Sequence, residues 1–250
     1  MNYHLENKIA LVTGGSGGIG SAISLELARS GAHVFVHYNS NPEKADLVVK
    51  EIVEDGKSAE AICANLLESN AIEEMVATIA EKHGRIDILV NNAAVNREIL
   101  LVRLKDEDID YVLGINLIGL VKVTRICARH MMKNRYGRIV HISSPAGVAG
   151  SPAQSLYSAS KGALHAFSKS IAQELGSRNI TSNIVLPGII NTRMIETLTD
   201  KRRNEFLDRI PLGRFGEPSE VAKSVCFLVS DEAGYISGVE LWVTGAGTIW

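Results

Sequence analysis

Residues 8–20 read KIALVTGGSGGIG. Lys8 to Thr13 is a short apolar run rich in β-branched residues, the pattern of a buried strand. It runs directly into Gly14-Gly15-Ser16-Gly17-Gly18-Ile19-Gly20 and then into a helical pattern ending near Ser30. Strand, glycine turn and helix start form the setting in which glycines carry a function. Without Cβ atoms the backbone turns sharply and can lie against a pyrophosphate. The following helix offers unpaired N–H groups and a positive dipole end to the same anion. The spacing is Gly14-x3-Gly18-x-Gly20 rather than G-x-G-x-x-G. A flexible loop is the alternative, and the flanking strand and helix favour nucleotide binding.

Outward from this stretch the chain keeps alternating between strand and helix patterns. His33 to His37 (HVFVH) reads as the next parallel strand, followed by helix 42–55, strand 58–63 and helix 68–83. Ile86 to Val90 is a fourth strand ending in Asn91-Asn92-Ala93-Ala94, an amide pair that either holds the sheet ends beside a cleft or simply closes the strand. A long helical pattern over 106–132 carries Asn116 among apolar neighbours, where a buried amide must satisfy a backbone kink or order a water. Arg138 to Ser143 is the fifth strand, a helix runs from 155 to about 177, and Thr181 to Leu186 is the sixth strand, ended by Pro187-Gly188. Residues 189–215 are polar with one short amphipathic segment, suited to a substrate lid. Helix 218–230 and strand 239–243 complete one domain over 1–250.

The end of the second strand bears on the cofactor. An acid there binds the adenosine ribose of NAD, whereas a 2′-phosphate needs the acid absent. The segment Tyr38-Asn39-Ser40-Asn41 has no carboxylate before Glu43, which leans towards NADP, although no Arg stands in the glycine loop or at this strand end.

With 46% hydrophobic residues, 250 residues bury a sizeable core, and a formal net charge of −2 gives no long-range pull towards nucleic acid or an anionic membrane. Cys63, Cys127 and Cys226 are widely spaced in apolar surroundings and read as reduced core thiols, with no metal-ligand spacing and no disulfide framework. No signal segment and no membrane-length apolar run is evident, so a soluble cytoplasmic protein is expected.

The chemistry concentrates in Ser144 to Lys161, SPAGVAGSPAQSLYSASK. Tyr157 and Lys161 are four apart at helical spacing and therefore share a face. An ammonium beside a phenol favours the phenolate and makes it a better proton donor or acceptor near neutral pH. Ser144 precedes a Gly/Pro-rich loop able to fold it back towards Tyr157, so that hydroxyl and phenol converge on one carbonyl oxygen. Alone, Tyr-x3-Lys also describes a helix with a surface lysine.

Taken together, TGGSGGIG (13–20), NNAA (91–94), Asn116, Ser144, YSASK (157–161) and PGIINT (187–192) make the chain resemble the short-chain dehydrogenase/reductase family over nearly its whole length. The resemblance implies a Rossmann-type doubly wound α/β fold, about seven mostly parallel strands with helices on both faces. It also implies hydride transfer between a nicotinamide and a carbonyl carbon. By the same resemblance Tyr157 is the general acid, Lys161 binds the nicotinamide ribose and lowers the Tyr157 pKa, Ser144 holds the substrate oxygen, and Asn116 holds a water that links Lys161 to solvent. Gly14, Ser16, Gly17, Gly18, Ile19 and Gly20 would line the pyrophosphate, and Tyr38, Asn39, Ser40, Asn65 and Leu66 the adenosine. Asn92, Ala93, Pro187, Gly188, Ile190 and Thr192 would frame the nicotinamide.

Within the family, MMKNRYGRIVHISS (131–144) and ELGSRNITSNIVLPG (174–188) look most like the 3-oxoacyl-acyl-carrier-protein reductases. That likeness implies NADP(H), a carrier-protein-linked substrate, and Arg135 and Arg178 as docking residues beside the active site. Ala94, Asn65, Gly17 and Thr244-Gly245-Ala246 depart from the family's usual residues and suggest a specialised relative, in fatty-acid, polyketide or polyene synthesis. A dehydrogenase of free sugars, steroids or similar alcohols, or an NADP-sensing regulator without turnover, are the competing readings. Helices 106–132 and 155–177 carry apolar or small residues around most of their circumference, so a second buried face and a homodimer or dimer of dimers are expected.

Overall fold

The computed structural model describes residues 3–192, 195 and 199–247. Strands β1 (Ile9–Val12), β2 (His33–Tyr38), β3 (Ala59–Cys63), β4 (Ile88–Asn91), β5 (Gly137–Ile142), β6 (Ile180–Pro187) and β7 (Glu240–Val243) form one sheet in the order β3-β2-β1-β4-β5-β6-β7. All pairings are parallel, with Ala10 of β1 opposite Val34 on one side and Ile88 on the other. The chain builds outward in one direction to β3 and then, from β4, in the other. The crevice at this reversal opens at the C-terminal ends of β1 and β4, where doubly wound sheets bind ligands.

The helices are α1 (Gly18–Arg29), α2 (Pro42–Glu54), α3 (Ser69–His83), α4 (Asp106–Leu113), α5 (Leu120–Asn134), α6 (Ala146–Ala149), α7 (Ser155–Leu175), α8 (Asp200–Leu207) and α9 (Pro218–Val229). Alternation along β1 splits the core. Ala10 and Val12 pack with Ile23 and Leu27 of α1 and Val225 of α9 on one face. Ile9 and Leu11 pack with Ile79 of α3, Val123 of α5 and Leu164 of α7 on the other. Both faces being covered explains why the strands read as continuous apolar runs.

Three expectations need correction. The pattern over 106–132 is not one α-helix, because Gly114–Gly119 forms a π-helical turn between α4 and α5. A Cβ on Gly119 would come within 2.6 Å of the Leu66 carbonyl, and one on Gly114 within 2.6 Å of Leu67. The two glycines let the widened turn press against the loop that follows β3, a register change that hydrophobic periodicity does not show. The helical run Asp106–Asn134 is also long and apolar enough by length and composition to cross a membrane, but half of its most apolar 18 residues are buried inside the fold, where Leu120, Val123 and Cys127 pack in the core. Third, Cys63 is exposed at the end of β3, whereas Cys127 and Cys226 are buried thiols.

In the expected lid, residues 193, 194 and 196–198 lie outside the described residues. Around them Ile195, Ile210 and Phe215 form a small cluster with Ile189, Phe206 and Leu207, apart from the two main cores. This segment therefore packs as its own unit over the C-terminal edge of the sheet, held by the pairing of Ile190 with Gly216.

Candidate active site

β5 delivers Ser143 and Ser144 to the C-terminal edge, and α6 turns the chain back onto α7. Two glycines make that return possible. A Cβ on Gly147 would lie 2.8 Å from the Gly162 nitrogen, and a Cβ on Gly162 would lie 2.7 Å from the Gly147 carbonyl. The two helices thus touch backbone to backbone, and Ser144 is close enough to hydrogen-bond the Tyr157 phenol. The Ser144 Oγ also accepts from the Ala146 N–H at 3.2 Å.

Lys161 sits one turn on from Tyr157 and is buried, with its ammonium donating to the Ile142 carbonyl at 2.6 Å. Its nitrogen lies 5.7 Å from the centre of the Tyr157 ring. Burial without an anionic partner pushes the Lys161 ammonium down to about 8. The Tyr157 phenol moves the other way: burial raises its pKa and the Ser144 hydrogen bond opposes the rise. The downward pull of Lys161 expected from the sequence is not what governs the phenol here. Burial thus keeps Tyr157 in its neutral form, the form a proton donor needs.

Behind the reactive groups lies a layer the sequence did not reveal. The Ser143 hydroxyl donates to the Lys161 carbonyl at 3.2 Å and meets His165 Nε2 at 2.8 Å. His165 Nδ1 in turn faces Glu240 at 3.0 Å. These contacts tie the second and third turns of α7 to the end of β5 and to β7. Asn116 occupies the π-helical turn, where its side chain accepts from the Val95 N–H at 2.8 Å and donates to the Val95 carbonyl at 2.8 Å and to Ser160 at 3.2 Å. Its amide is therefore spent on the backbone and on α7, as expected of a buried Asn that satisfies a kink.

The glycine loop is held from three directions. Gly14 and Gly18 adopt φ of +61° and +35°, so the turn needs residues without Cβ. Asn92 Nδ2 donates to the carbonyls of Thr13 and Gly14 at 3.0 Å each, joining the ends of β1 and β4. The Thr13 hydroxyl accepts from the Asn92 and Ala93 N–H groups at 2.9 and 3.1 Å. The Gly14 N–H donates to Nδ1 of His37, a residue that sequence reasoning passed over as part of an apolar strand. Its only signal there was position: in HVFVH the side chain of 37 shares a face with 33 and 35.

A dinucleotide fits this cradle. A Cβ at Gly17 would meet open space, and the first turn of α1 has no side-chain cap, so its N–H groups are free for a phosphate. Thr192 closes the far side, its methyl 3.4 Å from a Cβ built on Gly18. Pro187, Gly188 and Ile190 lead from β6 to that point. At the other end, Tyr38 and Leu66 are partly or fully covered while Asn39 and Ser40 are exposed. The Asn65 amide is engaged locally, its oxygen accepting from Leu67 N–H at 3.1 Å and its nitrogen donating to Glu68 at 2.7 Å.

The family model of short chain dehydrogenases matches residues 8–203. The chain belongs to the short-chain dehydrogenase family. Among curated members it is similar to the 3-oxoacyl-acyl-carrier-protein reductase FabG of Thermotoga maritima, 43% identical over 96% of this chain and 98% of that protein. The namesake reductase of Synechocystis is 43% identical over 96% of this chain and 97% of its own length. FabG of Staphylococcus aureus is 41% identical over 95% and 97%. Within this short-chain dehydrogenase fold, Ser144, Tyr157, Lys161 and the glycine loop meet at one edge. Arg135 and Arg178 do not join them. Both are exposed at the opposite end of the strands, where Gly137 of β5 pairs with Ile180 of β6. Arg135 there donates to the Ser177 carbonyl at 3.3 Å.

Proposed function

We propose that this chain reduces the 3-oxo group of a β-ketoacyl thioester, carried on an acyl-carrier protein, to the 3-hydroxy product in fatty-acid or polyketide synthesis, with NADP(H) as cofactor. The meeting of Ser144, Tyr157 and the buried Lys161 beside the glycine loop at one sheet edge carries this reading. When bound, the nicotinamide supplies a hydride to the carbonyl carbon. The substrate oxygen takes a hydrogen bond from Ser144 and a proton from Tyr157, which the raised phenol pKa keeps available at neutral pH. Lys161 holds the ribose with N–H groups, its own neighbours being the Ile142 carbonyl and the Tyr157 ring. The side chain of Asn116 being occupied, its backbone carbonyl in the widened turn is the group that orders the water through which Tyr157 is reprotonated.

NADP over NAD is supported by the strand end Tyr38-Asn39-Ser40-Asn41, which places no carboxylate beside a 2′-phosphate. A homodimer or dimer of dimers through the helical stretches 106–132 and 155–177 gives the two distant arginines a use. Helices paired antiparallel about a two-fold axis bring the C-terminal end of one copy to the N-terminal end of the other. Arg135 and Arg178 then flank the partner's active site and attract an acidic carrier protein. The protein acts in the cytoplasm.

The test is NADPH oxidation with an acetoacetyl thioester, compared between carrier-linked and free ketones and between NADPH and NADH. Tyr157→Phe is expected to lose turnover by about 10²–10⁴-fold with its circular dichroism unchanged. Full activity in that variant, or equal rates on unrelated free ketones, overturns the reading.

A further inference from the structure

At the N-terminal edge of the sheet, away from Ser144 and Tyr157, three residues absent from the reaction come together. His33 opens β2, Glu60 lies on β3 opposite Phe35, and His83 is the last residue of α3. One ligand atom from each lies within 4.8 Å of the other two. His33 Nε2 stands 3.2 Å from Glu60 Oε1, and the two imidazoles are 4.6 Å apart, centre to centre.

The ring nitrogens matter most. His33 Nε2 and His83 Nε2 are both cut off from solvent; the first faces the Glu60 carboxylate at 3.2 Å and the second has no hydrogen-bond partner. Buried polar atoms are normally satisfied, and an orphaned His83 nitrogen beside a histidine–carboxylate pair calls for a shared partner. The surroundings already orient them as ligands. His33 Nδ1 meets the Ser58 hydroxyl at 2.6 Å, and in the tautomer in which Nδ1 donates to it Nε2 is left bare for a metal. Lys82 holds the other carboxylate oxygen, Oε2, at 2.5 Å, which fixes Glu60 with Oε1 turned towards His33. His83 ends α3, where the negative end of the helix dipole favours a cation.

We propose that His33, Glu60 and His83 bind a divalent transition-metal ion, with Zn²⁺ the best match, as a structural clasp joining β2, β3 and α3. Two imidazole nitrogens and a carboxylate oxygen are a donor set for zinc and its neighbours rather than for calcium or magnesium. Metal bonds of about 2.0–2.2 Å in a tetrahedron set donor atoms about 3.4 Å apart, so the His33–Glu60 pair is already spaced and His83 has to close from within 4.8 Å. The chain separations of 27 and 23 residues hide the group from any spacing motif.

The experiment uses the full chain with the exposed Cys63 changed to Ser, stripped by chelator, then titrated with CoCl₂ and ZnCl₂. One Co²⁺ per chain should give a visible d–d absorption that Zn²⁺ abolishes, and Zn²⁺ at about a hundredfold over Kd should raise Tm by roughly 5 °C. Glu60→Gln and His83→Gln should each weaken binding by tenfold or more, with ketone reduction unchanged. Should His83→Gln not fold, Glu60→Gln alone decides, since its side chain is partly exposed. No absorption and no Tm rise in the starting protein overturns the proposal. So does an unaltered Co²⁺ signal in Glu60→Gln.

Discussion

His37 Nδ1 accepts the backbone N–H of Gly14 at 2.9 Å, while its Nε2 lies 3.0 Å from the Ala64 carbonyl. An acceptor at Nδ1 means that Nε2 carries the proton, so one neutral tautomer braces the glycine loop against the end of β3. Burial lowers the His37 pKa, which suits that neutral form. His37→Leu should leave the Gly14 N–H without its partner, a loss of about 1–3 kcal/mol. Dinucleotide affinity by fluorescence titration should fall by tenfold or more, with partial rescue in His37→Gln. The pH sign follows: the depressed pKa makes this contribution full above about 6.5, and it is lost as pH falls towards the folded-state value. An affinity in His37→Leu equal to that of the parent would refute the brace.

The contact of Gly147 with Gly162 makes a second position sensitive in an unusual direction. An exposed helix-interior Gly→Ala change normally stabilises by about 0.5–1 kcal/mol. Here the added methyl meets the Gly147 carbonyl at 2.7 Å and must push α6 from α7. Gly162→Ala should lower Tm and, by moving Ser144 from Tyr157, reduce kcat/KM by about a hundredfold. A gain in Tm with full activity would show that the helices have room.

How much of this was legible beforehand depends on what kind of contact was at issue. Strands β1 to β7 and their flanking helices announce themselves through apolar runs and glycine breaks, since both faces of the sheet are covered. Ser144, Tyr157 and Lys161 were readable because their chemistry is local to one loop and one helix turn. His37, Thr13 and Ser143 were not, since each acts through a bond to a residue 18 to 80 positions away in sequence. The π-helical turn at Asn116 was missed because it adds a residue to a turn without changing the apolar composition. Arg135 and Arg178 were placed beside the active site by likeness alone, and only the strand direction shows them at the far edge.

Lys161 supplies a pH prediction. Its ammonium, brought down to about 8 by burial, loses its charge as pH rises past that value, while burial keeps the Tyr157 phenol protonated over the same range. The profile of kcat/KM for reduction should therefore descend near pH 8, reporting the free enzyme. Stability should not follow it. The unfolded lysine holds its proton to about 10.4, so between the two values this group favours the folded state more as pH rises. Parallel rate and Tm measurements separate the effects, and a flat rate profile to pH 9.5 would exclude Lys161 as the titrating group.

Ala246 holds φ at +60°, the left-handed region in which a Cβ is strained, just after Gly245 at +61°. The strain of an L-residue there is about 1–2 kcal/mol, of which glycine's greater unfolded-state freedom offsets part. Ala246→Gly should thus stabilise the protein by about 0.5–1 kcal/mol. For a chain of this size each kcal/mol moves Tm by roughly 2–4 °C. Ala153, with φ of +61° in the loop before α7, provides an independent copy of the same situation. Additive effects in the double variant would show that the two positions share no contacts. Thermal denaturation of both single variants and the double variant tests this. A lower Tm in both single variants would mean that the methyl groups contribute more by packing than the backbone loses by strain.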